Sequence, residues 1–243
     1  MTEIVKKTPS GAIIYDPSVI REITESRFRP DGWLHAEAVP GALGSSGRGT
    51  TMYVGNVPRQ FVLRHFVRGG QIRRVARDRY FWTGESRTRP FAEWRMLAKM
   101  ADSGLRVPRP AAARYSRRGP VYTADIITVR IPDVETLSTL LARKRCDADF
   151  WLSLGKSVHG FHAGGVYHAD MNAHNLQIDG EGDLWMLDFD RGRLLRPGPW
   201  QQRTLSRLHR SLQKLRAQNP ALHFLPENWE QFLEGYFAAA KSA

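Results

Sequence analysis

HADMNAHN, residues 168–175, followed by LDFD at residues 187–190, is the stretch that decides how this chain reads. Transfer of a phosphoryl group asks little covalent chemistry of a protein. It asks for a carboxylate that orients the acceptor hydroxyl, and for oxygen ligands that hold magnesium against nucleotide phosphates. Asp170 can supply the first and Asn175 one of the second. From Asn175 to Asp188 the segment NLQIDGEGDLWMLD reads as a hairpin, with apolar Leu176 and Ile178, a turn from Asp179 to Asp183, and a return from Leu184 to Leu187. A hairpin brings the chain back to its start, so Asn175 and Asp188 are expected side by side at the open end, where a hard cation finds oxygen ligands. Either half alone, HxD or DFD, reads as readily as a chance tripeptide, with His168 a packed core histidine and Asp188 a turn residue. The two in order, joined by an insert of hairpin length, carry the phosphoryl-transfer reading.

A chain of 243 residues, 42% hydrophobic, holds one large domain or two closely packed lobes, and its composition is that of a globular protein. The single cysteine, Cys146, excludes an intrachain disulfide. The start, MTEIVKKTPSG, has charge but no following apolar segment, and no uninterrupted apolar run approaches the ~20 residues that span a bilayer. Neither a signal peptide nor a transmembrane helix is expected. The formal net charge of +12 calls for an anionic partner. Nucleic acid, an anionic membrane face and an acidic small substrate each satisfy it, as does a basic surface that serves only solubility.

The N-terminal part reads as sheet-rich. GALGSSGRGTTMYV, residues 41–54, places Gly41, Gly44, Gly47 and Gly49 ahead of a strand-like run, and QFVLRHFV, residues 60–67, supplies the next strand. Such a loop either covers nucleotide phosphates with its backbone N–H groups or is a plain surface loop. A very basic stretch follows, with Arg64, Arg68, Arg73, Arg74, Arg77 and Arg79. PFAEWRMLAKMADSG then reads as a helix, with Pro90 in its first turn, Phe91, Trp94, Leu97, Ala98 and Ala101 at helical spacing, and Gly104 at its end. Glu93 lies off that stripe. It either pairs with Arg64, on the strand where a kinase carries its phosphate-binding cation, or faces solvent.

VYTADIITVRIPD, residues 121–133, reads as a buried strand that leads into the connector between lobes. Phe150, Trp151, Leu154, Val158 and Phe161 mark one face of a helix closed by Gly164 and Gly165. His159, His162, His168 and His174 lie close in sequence, but HEXXH and a cysteine cluster are absent, so packing is preferred to a zinc site. Near the end, QQRTLSRLHRSLQKLRAQ repeats Leu205, Leu208, Leu212 and Leu215 on one face, with Arg203, Arg207, Arg210 and Lys214 around it. That helix packs on the C-terminal lobe or, as a basic amphipathic helix, lies on a membrane surface. No segment corresponding to the peptide-binding subdomain of protein kinases is recognisable, which favours a small acceptor.

VLRHFVRGG, DRYFWTGESRTRPFAEWRML, VPRP, GVYHADMNAHNLQID, LWMLDFDRGR and RLHRSLQK together resemble the 3-deoxy-D-manno-octulosonic acid (Kdo) kinases of Gram-negative bacteria, relatives of the lipopolysaccharide core heptose kinases, from about Gly41 to Gln213. The resemblance implies an α+β, bilobal protein-kinase-like fold, with a sheet-rich N-lobe over about residues 1–127 and a reduced helical C-lobe over about 132–243, in a single domain of residues 1–243. It implies ATP as donor, Mg2+, and transfer to the 4-hydroxyl of a Kdo residue on a lipid A precursor, with the enzyme peripheral on the cytoplasmic face of the inner membrane. By position, Asp170 is then the catalytic base, Asn175 and Asp188 the magnesium ligands, and Arg64 with Glu93 the cation–carboxylate pair at the nucleotide. Gly41, Gly44 and Gly47 are assigned to the nucleotide, and Arg68, Arg73 and Arg74 to the anionic acceptor. Asn172 stands where serine/threonine kinases have lysine, Asp190 where DFG has glycine, and Arg64 where most kinases have lysine.

Two other readings compete: a kinase for another sugar or an aminoglycoside-type acceptor, and an inactive kinase-fold binding protein. A cationic acceptor suits a +12 chain poorly, and a pure binder needs none of Asp170, Asn175 and Asp188. No nucleic-acid partner is expected, and the sequence leaves the oligomeric state open.

Overall fold

The computed structural model describes residues 1–39, 51–56, 59–67 and 78–241. Gly41, Gly44, Gly47 and Gly49, and Arg68, Arg73, Arg74 and Arg77, lie outside the described residues. The chain divides into two units, Met1–Asp102 with Pro108–Arg130, and Ser103–Val107 with Ile131–Ala243.

The first unit contains β1 (Ile4–Thr8), β2 (Gly11–Tyr15), β3 (Ala36–Ala38), β4 (Thr51–Val54), β5 (Phe61–His65), β6 (Tyr80–Phe81), helix α1 (Arg89–Asp102), β7 (Pro110–Arg118) and β8 (Val121–Val129). Among the described residues the strands form one antiparallel sheet in the order β1-β2-β7-β8-β5-β4-β3, with β6 also pairing β8. GAIIY in β2 and ADII in β8 are buried without alternation, as strands covered on both faces should be. One face is covered by Val19, Ile20, Ile23 and Phe28, which pack against Ile13, Phe61, Leu63 and Ile127. The buried face of α1, with Phe91, Trp94, Leu97 and Met100, packs on β7 and β8.

Strand alternation sends Arg64 and His65 to opposite faces of β5. His65 lies opposite Asp125 in the ladder and is hydrogen-bonded to it through Nδ1 at 2.7 Å. Arg114 grips the other oxygen of Asp125 through Nε at 3.1 Å and Nη2 at 2.7 Å, so this buried carboxylate is fully paired. The hydrogen bond to Asp125 holds His65 above the ordinary histidine pKa.

The second unit contains β9 (Glu135–Thr136), α2 (Leu137–Arg143), α3 (Ala148–Ala163), β10 (Val166–Tyr167), β11 (Leu176–Ile178), β12 (Leu184–Met186), β13 (Arg193–Leu194), α4 (Trp200–Gln218) and α5 (Pro226–Lys241). Among the described residues no helix is long and apolar enough to cross a membrane. The expected hairpin is present, with Leu176 opposite Met186 and Ile178 opposite Leu184, and β9 joins its free edge. Asp179 closes the turn by accepting from the N–H groups of Glu181 and Asp183 and from Trp185 Nε1. Ser103–Val107, flanked on both sides by first-unit segments, is strapped to this hairpin. Met186 N–H donates to the Arg106 carbonyl at 3.1 Å, and Arg106 pairs with Asp183 at 2.5 Å.

Helix α3 begins at Asp147, whose carboxylate accepts from Phe150 N–H at 2.9 Å, and ends before Gly164 and Gly165. It crosses α5 at very short range. A Cβ on Gly155 would sit 2.0 Å from the Phe232 carbonyl oxygen, and one on Gly235 would sit 2.0 Å from that of Leu152. His162, fully buried, links three helices: the Tyr236 hydroxyl of α5 is 2.8 Å from Nδ1 and the Thr204 hydroxyl of α4 is 3.0 Å from Nε2. Thr204 also donates to the Gln201 carbonyl, so it accepts from His162 Nε2–H, and Tyr236 donates to Nδ1. Burial pushes the His162 pKa down to about 4.

Two outcomes follow from this packing. Gly235→Ala forces the α3–α5 backbones apart and lowers stability by about 3 kcal/mol, read from urea denaturation. Between pH 6.5 and about 4 the unfolded chain binds a proton that folded His162 refuses. The stability this histidine contributes is therefore complete above pH 6.5 and falls by on the order of 3 kcal/mol as pH is lowered through that window. Melting curves against pH show this slope in the wild type and a shallower one in His162→Gln.

Candidate active site

In the first unit, β5 presents Arg64 and α1 presents Glu93, and the two meet with Arg64 Nη2 at 2.5 Å from Glu93 Oε1. Glu93 is buried although it lies off the apolar stripe of α1. The Arg64 guanidinium also lies 4.5 Å over the Phe66 ring, which limits its rotamers.

In the second unit the loop from His168 to Asn175 is built around one imidazole. Asp170 N–H donates to His168 Nδ1 at 3.1 Å, so the ring proton is on Nε2, which donates to the Leu187 carbonyl at 2.7 Å. The ring is buried and packs on Phe189 at 4.9 Å between centroids. Burial lowers its pKa and keeps it neutral, the state this pair of hydrogen bonds requires. His168 thus ties the backbone of Asp170 to the residue before Asp188. A second tie, Leu187 N–H to the Asn175 carbonyl at 2.9 Å, closes the open end of the hairpin. Asp188 takes a positive φ of 60°, a left-handed conformation that turns the chain sharply as it leaves β12.

Asn172 is the knot of the loop. Its Oδ1 accepts from the N–H groups of His174 at 2.9 Å and Asn175 at 3.2 Å, and its Nδ2 donates to the Asp170 carbonyl at 3.0 Å. Sequence reading took Asn172 only as a departure from lysine. The signal for its real work was its residue type, since an asparagine hydrogen-bonds its own backbone two residues on. Asn175 Nδ2 donates to the same Asp170 carbonyl at 2.9 Å. With its amide nitrogen so engaged, Asn175 has Oδ1 to offer a cation. An amide oxygen and the Asp188 carboxylate are a donor set that fits magnesium, which takes one or two protein ligands and completes its shell with phosphate and water oxygens.

The loop is also held from outside. Ser138 N–H donates to the Ala173 carbonyl at 3.2 Å, Ser138 Oγ and His174 Nδ1 are 2.8 Å apart, and Ala173 N–H donates to Ser211 Oγ of α4 at 3.3 Å. One turn earlier on α4, Arg207 Nη1 donates to Asp170 Oδ1 at 3.0 Å. Both partners are about half exposed, at 49% and 59%, so the ion pair is worth on the order of 1 kcal/mol or less. Sequence reading placed Arg207 only on the basic face of a helix. Of the four histidines weighed for zinc, His162 lies in the α3–α4–α5 network, His159 is like it beside Tyr236, His174 sits on Ser138 and His168 holds the loop. Among the described residues no group of three or more His, Cys, Asp or Glu side chains is placed to hold a metal.

The model of the lipopolysaccharide kinase (Kdo/WaaP) family matches residues 37–236. The chain belongs to that family. A relative from Stenotrophomonas maltophilia (strain K279a), named 3-deoxy-D-manno-octulosonic acid kinase, is 40% identical over 211 residues, which cover 86% of this chain and 82% of the relative. One of the same name from Xanthomonas euvesicatoria pv. vesicatoria (strain 85-10) is 42% identical over 207 residues, 85% of this chain and 82% of its own length. Among solved structures, monomeric WbdD aligns with 84% of this chain and 49% of its own at 15% identity, with a TM-score of 0.47. As a member of the lipopolysaccharide kinase family the chain is a phosphotransferase acting on a hydroxyl group, with an α+β kinase-like fold. Family membership also implies ATP as the donor.

Since Asn172 makes three of the hydrogen bonds that shape the loop, Asn172→Ala displaces Asp170 without emptying the core. A displacement of about 1 Å costs on the order of 100-fold in kcat, with the melting temperature little changed; steady-state kinetics beside a thermal melt reads both.

Proposed function

We propose that this kinase transfers the γ-phosphoryl group of ATP to the 4-hydroxyl of a Kdo residue on a lipid A precursor, in lipopolysaccharide inner-core biosynthesis. The observation that carries the reading is the Asp170 loop itself: a half-exposed carboxylate on a backbone tied by one neutral histidine to the strand end that bears Asp188. Names carried by relatives at 40% and 42% identity support Kdo as the sugar.

Asp170 accepts the proton of the acceptor hydroxyl as the oxygen bonds to the γ-phosphorus and the bond to the leaving ADP oxygen breaks. Asn175 and Asp188 hold Mg2+, which supplies positive charge to the phosphate oxygens during transfer. Arg64, fixed by Glu93, holds the nucleotide phosphates, and Gly41, Gly44 and Gly47 are assigned to nucleotide binding. Arg68, Arg73 and Arg74 receive the anionic acceptor. In this reading the two units work as a single kinase domain over residues 1–243, peripheral on the cytoplasmic face of the inner membrane, with the net charge of +12 drawn to anionic lipid.

Transfer of labelled γ-phosphate from Mg-ATP tests the reading. The wild type labels a Kdo-bearing lipid A precursor and leaves an acceptor without Kdo unlabelled, and Asp170→Ala lowers kcat by about 1,000-fold. Equal labelling of the acceptor without Kdo would rule out the substrate, and full activity in Asp170→Ala would rule out the base.

A further inference from the structure

Arg207 is the feature of this site that the family-based reading leaves without a role. It reaches Asp170 from α4, an element separate from the loop and hairpin that carry Asn175 and Asp188. Its placement is fixed twice. Leu205, Leu208 and Leu212 bury the inner face of α4, and one turn beyond Arg207 the Ser211 hydroxyl takes the N–H of Ala173. Among the described residues, Arg203 and Arg210, also exposed on α4, make no hydrogen bond or ion pair to the loop, whereas Arg207 approaches it to 3.0 Å. Among the described residues the Arg207 guanidinium makes one hydrogen bond, through Nη1 alone, and is half exposed, so its remaining donors are open to an incoming ligand.

The acceptor chemistry explains why a cation belongs there. In a 3-deoxy-2-keto sugar acid the carbon bearing the carboxylate and the carbon bearing the 4-hydroxyl are separated by one methylene. Seating the 4-hydroxyl on Asp170 therefore brings a second carboxylate close to the first. Two carboxylates at such range repel, and a cation placed between them removes that repulsion and favours an acceptor of this class. A guanidinium already bonded to one carboxylate, with donors to spare in a planar fork, meets that requirement in a way a lone lysine ammonium does not.

We infer that Arg207 is the acceptor-carboxylate site: it shares its guanidinium between Asp170 and the carboxylate of the sugar acid and so selects anionic sugars at the reaction centre. This rests on the assignment of Asp170 to the acceptor hydroxyl.

The test crosses two acceptors with three proteins. The acceptors are the Kdo-bearing lipid A precursor and the same molecule with its Kdo carboxyl converted to the methyl ester. The proteins are the full-length wild type, Arg207→Ala, and Arg207→Met, which keeps an aliphatic stem on the helix. On the acid acceptor both variants raise KM by about 10- to 100-fold with a smaller change in kcat, as loss of a charge-assisted hydrogen bond dictates. On the ester the wild type is weakened by a similar factor, and the variants are no worse than the wild type. The inference is overturned if the variants lose the same factor on both acceptors, because the cation then acts on the transferred phosphoryl group or on Asp170 alone. It is overturned equally if the variants match the wild type on the acid. A wild type inert towards both acceptors defeats the functional reading itself, and the inference with it, and is distinguished by the absence of any wild-type rate.

Discussion

The neutral imidazole of His168 is the constraint on which the second unit's site depends. One ring nitrogen accepts from the backbone of Asp170 and the other donates to the carbonyl of Leu187. A protonated ring would have no acceptor for the Asp170 N–H, so burial does chemical work here by disfavouring the charged form, while the two hydrogen bonds set the tautomer and the distance between loop and strand end. The packing of Phe189 on the ring extends the same control into the residues after Asp188. A loop of short polar residues, which alone would sample many conformations, is thus held to one.

Much of the frame was legible because each element announces itself locally. The apolar stripe from Phe150 to Phe161 with Gly164–Gly165 behind it placed α3, and a turn of Asp and Gly between two apolar pairs placed the β11–β12 hairpin. What the sequence hid was tertiary. The β1–β2 hairpin escaped attention because its lysines and a continuous apolar run carry no clean alternation. The ties of Ser103–Val107 to the second unit include the Met186–Arg106 backbone hydrogen bond and the Arg106 ion pairs, which leave no periodicity to read.

The site divides in the same way. Residues named from spacing, such as Arg64 with Glu93, and Asp170 with Asn175 at the foot of the hairpin, are brought together by the fold. Asn172 and Arg207 were in plain view without a role in the loop, since one makes its bonds through side-chain geometry and the other comes from a helix far along the chain. At the position where serine/threonine kinases carry a lysine, this protein has an asparagine that holds the loop. The positive charge beside Asp170 arrives instead from α4. Separating shape from charge in this way lets each be set by a different element.

The same separation operates across β5. Consecutive residues deliver basic side chains to opposite faces of one strand, Arg64 to Glu93 and His65 to Asp125. Both carboxylates are almost fully buried, and a buried carboxylate stripped of its partner costs about 3–5 kcal/mol. Neither pair is therefore an ornament on an otherwise stable sheet. They differ in one respect that matters for the phosphate-binding role proposed for Arg64. The histidine shares Asp125 with Arg114, so the loss of its proton leaves that carboxylate paired. The counter-ion of Glu93 is a guanidinium, which stays charged at any pH the fold survives. An arginine in this place keeps α1 bound to the sheet without passing through a neutral state, and the proposed contact with phosphate oxygens would use its planar fork rather than the single point charge of a lysine.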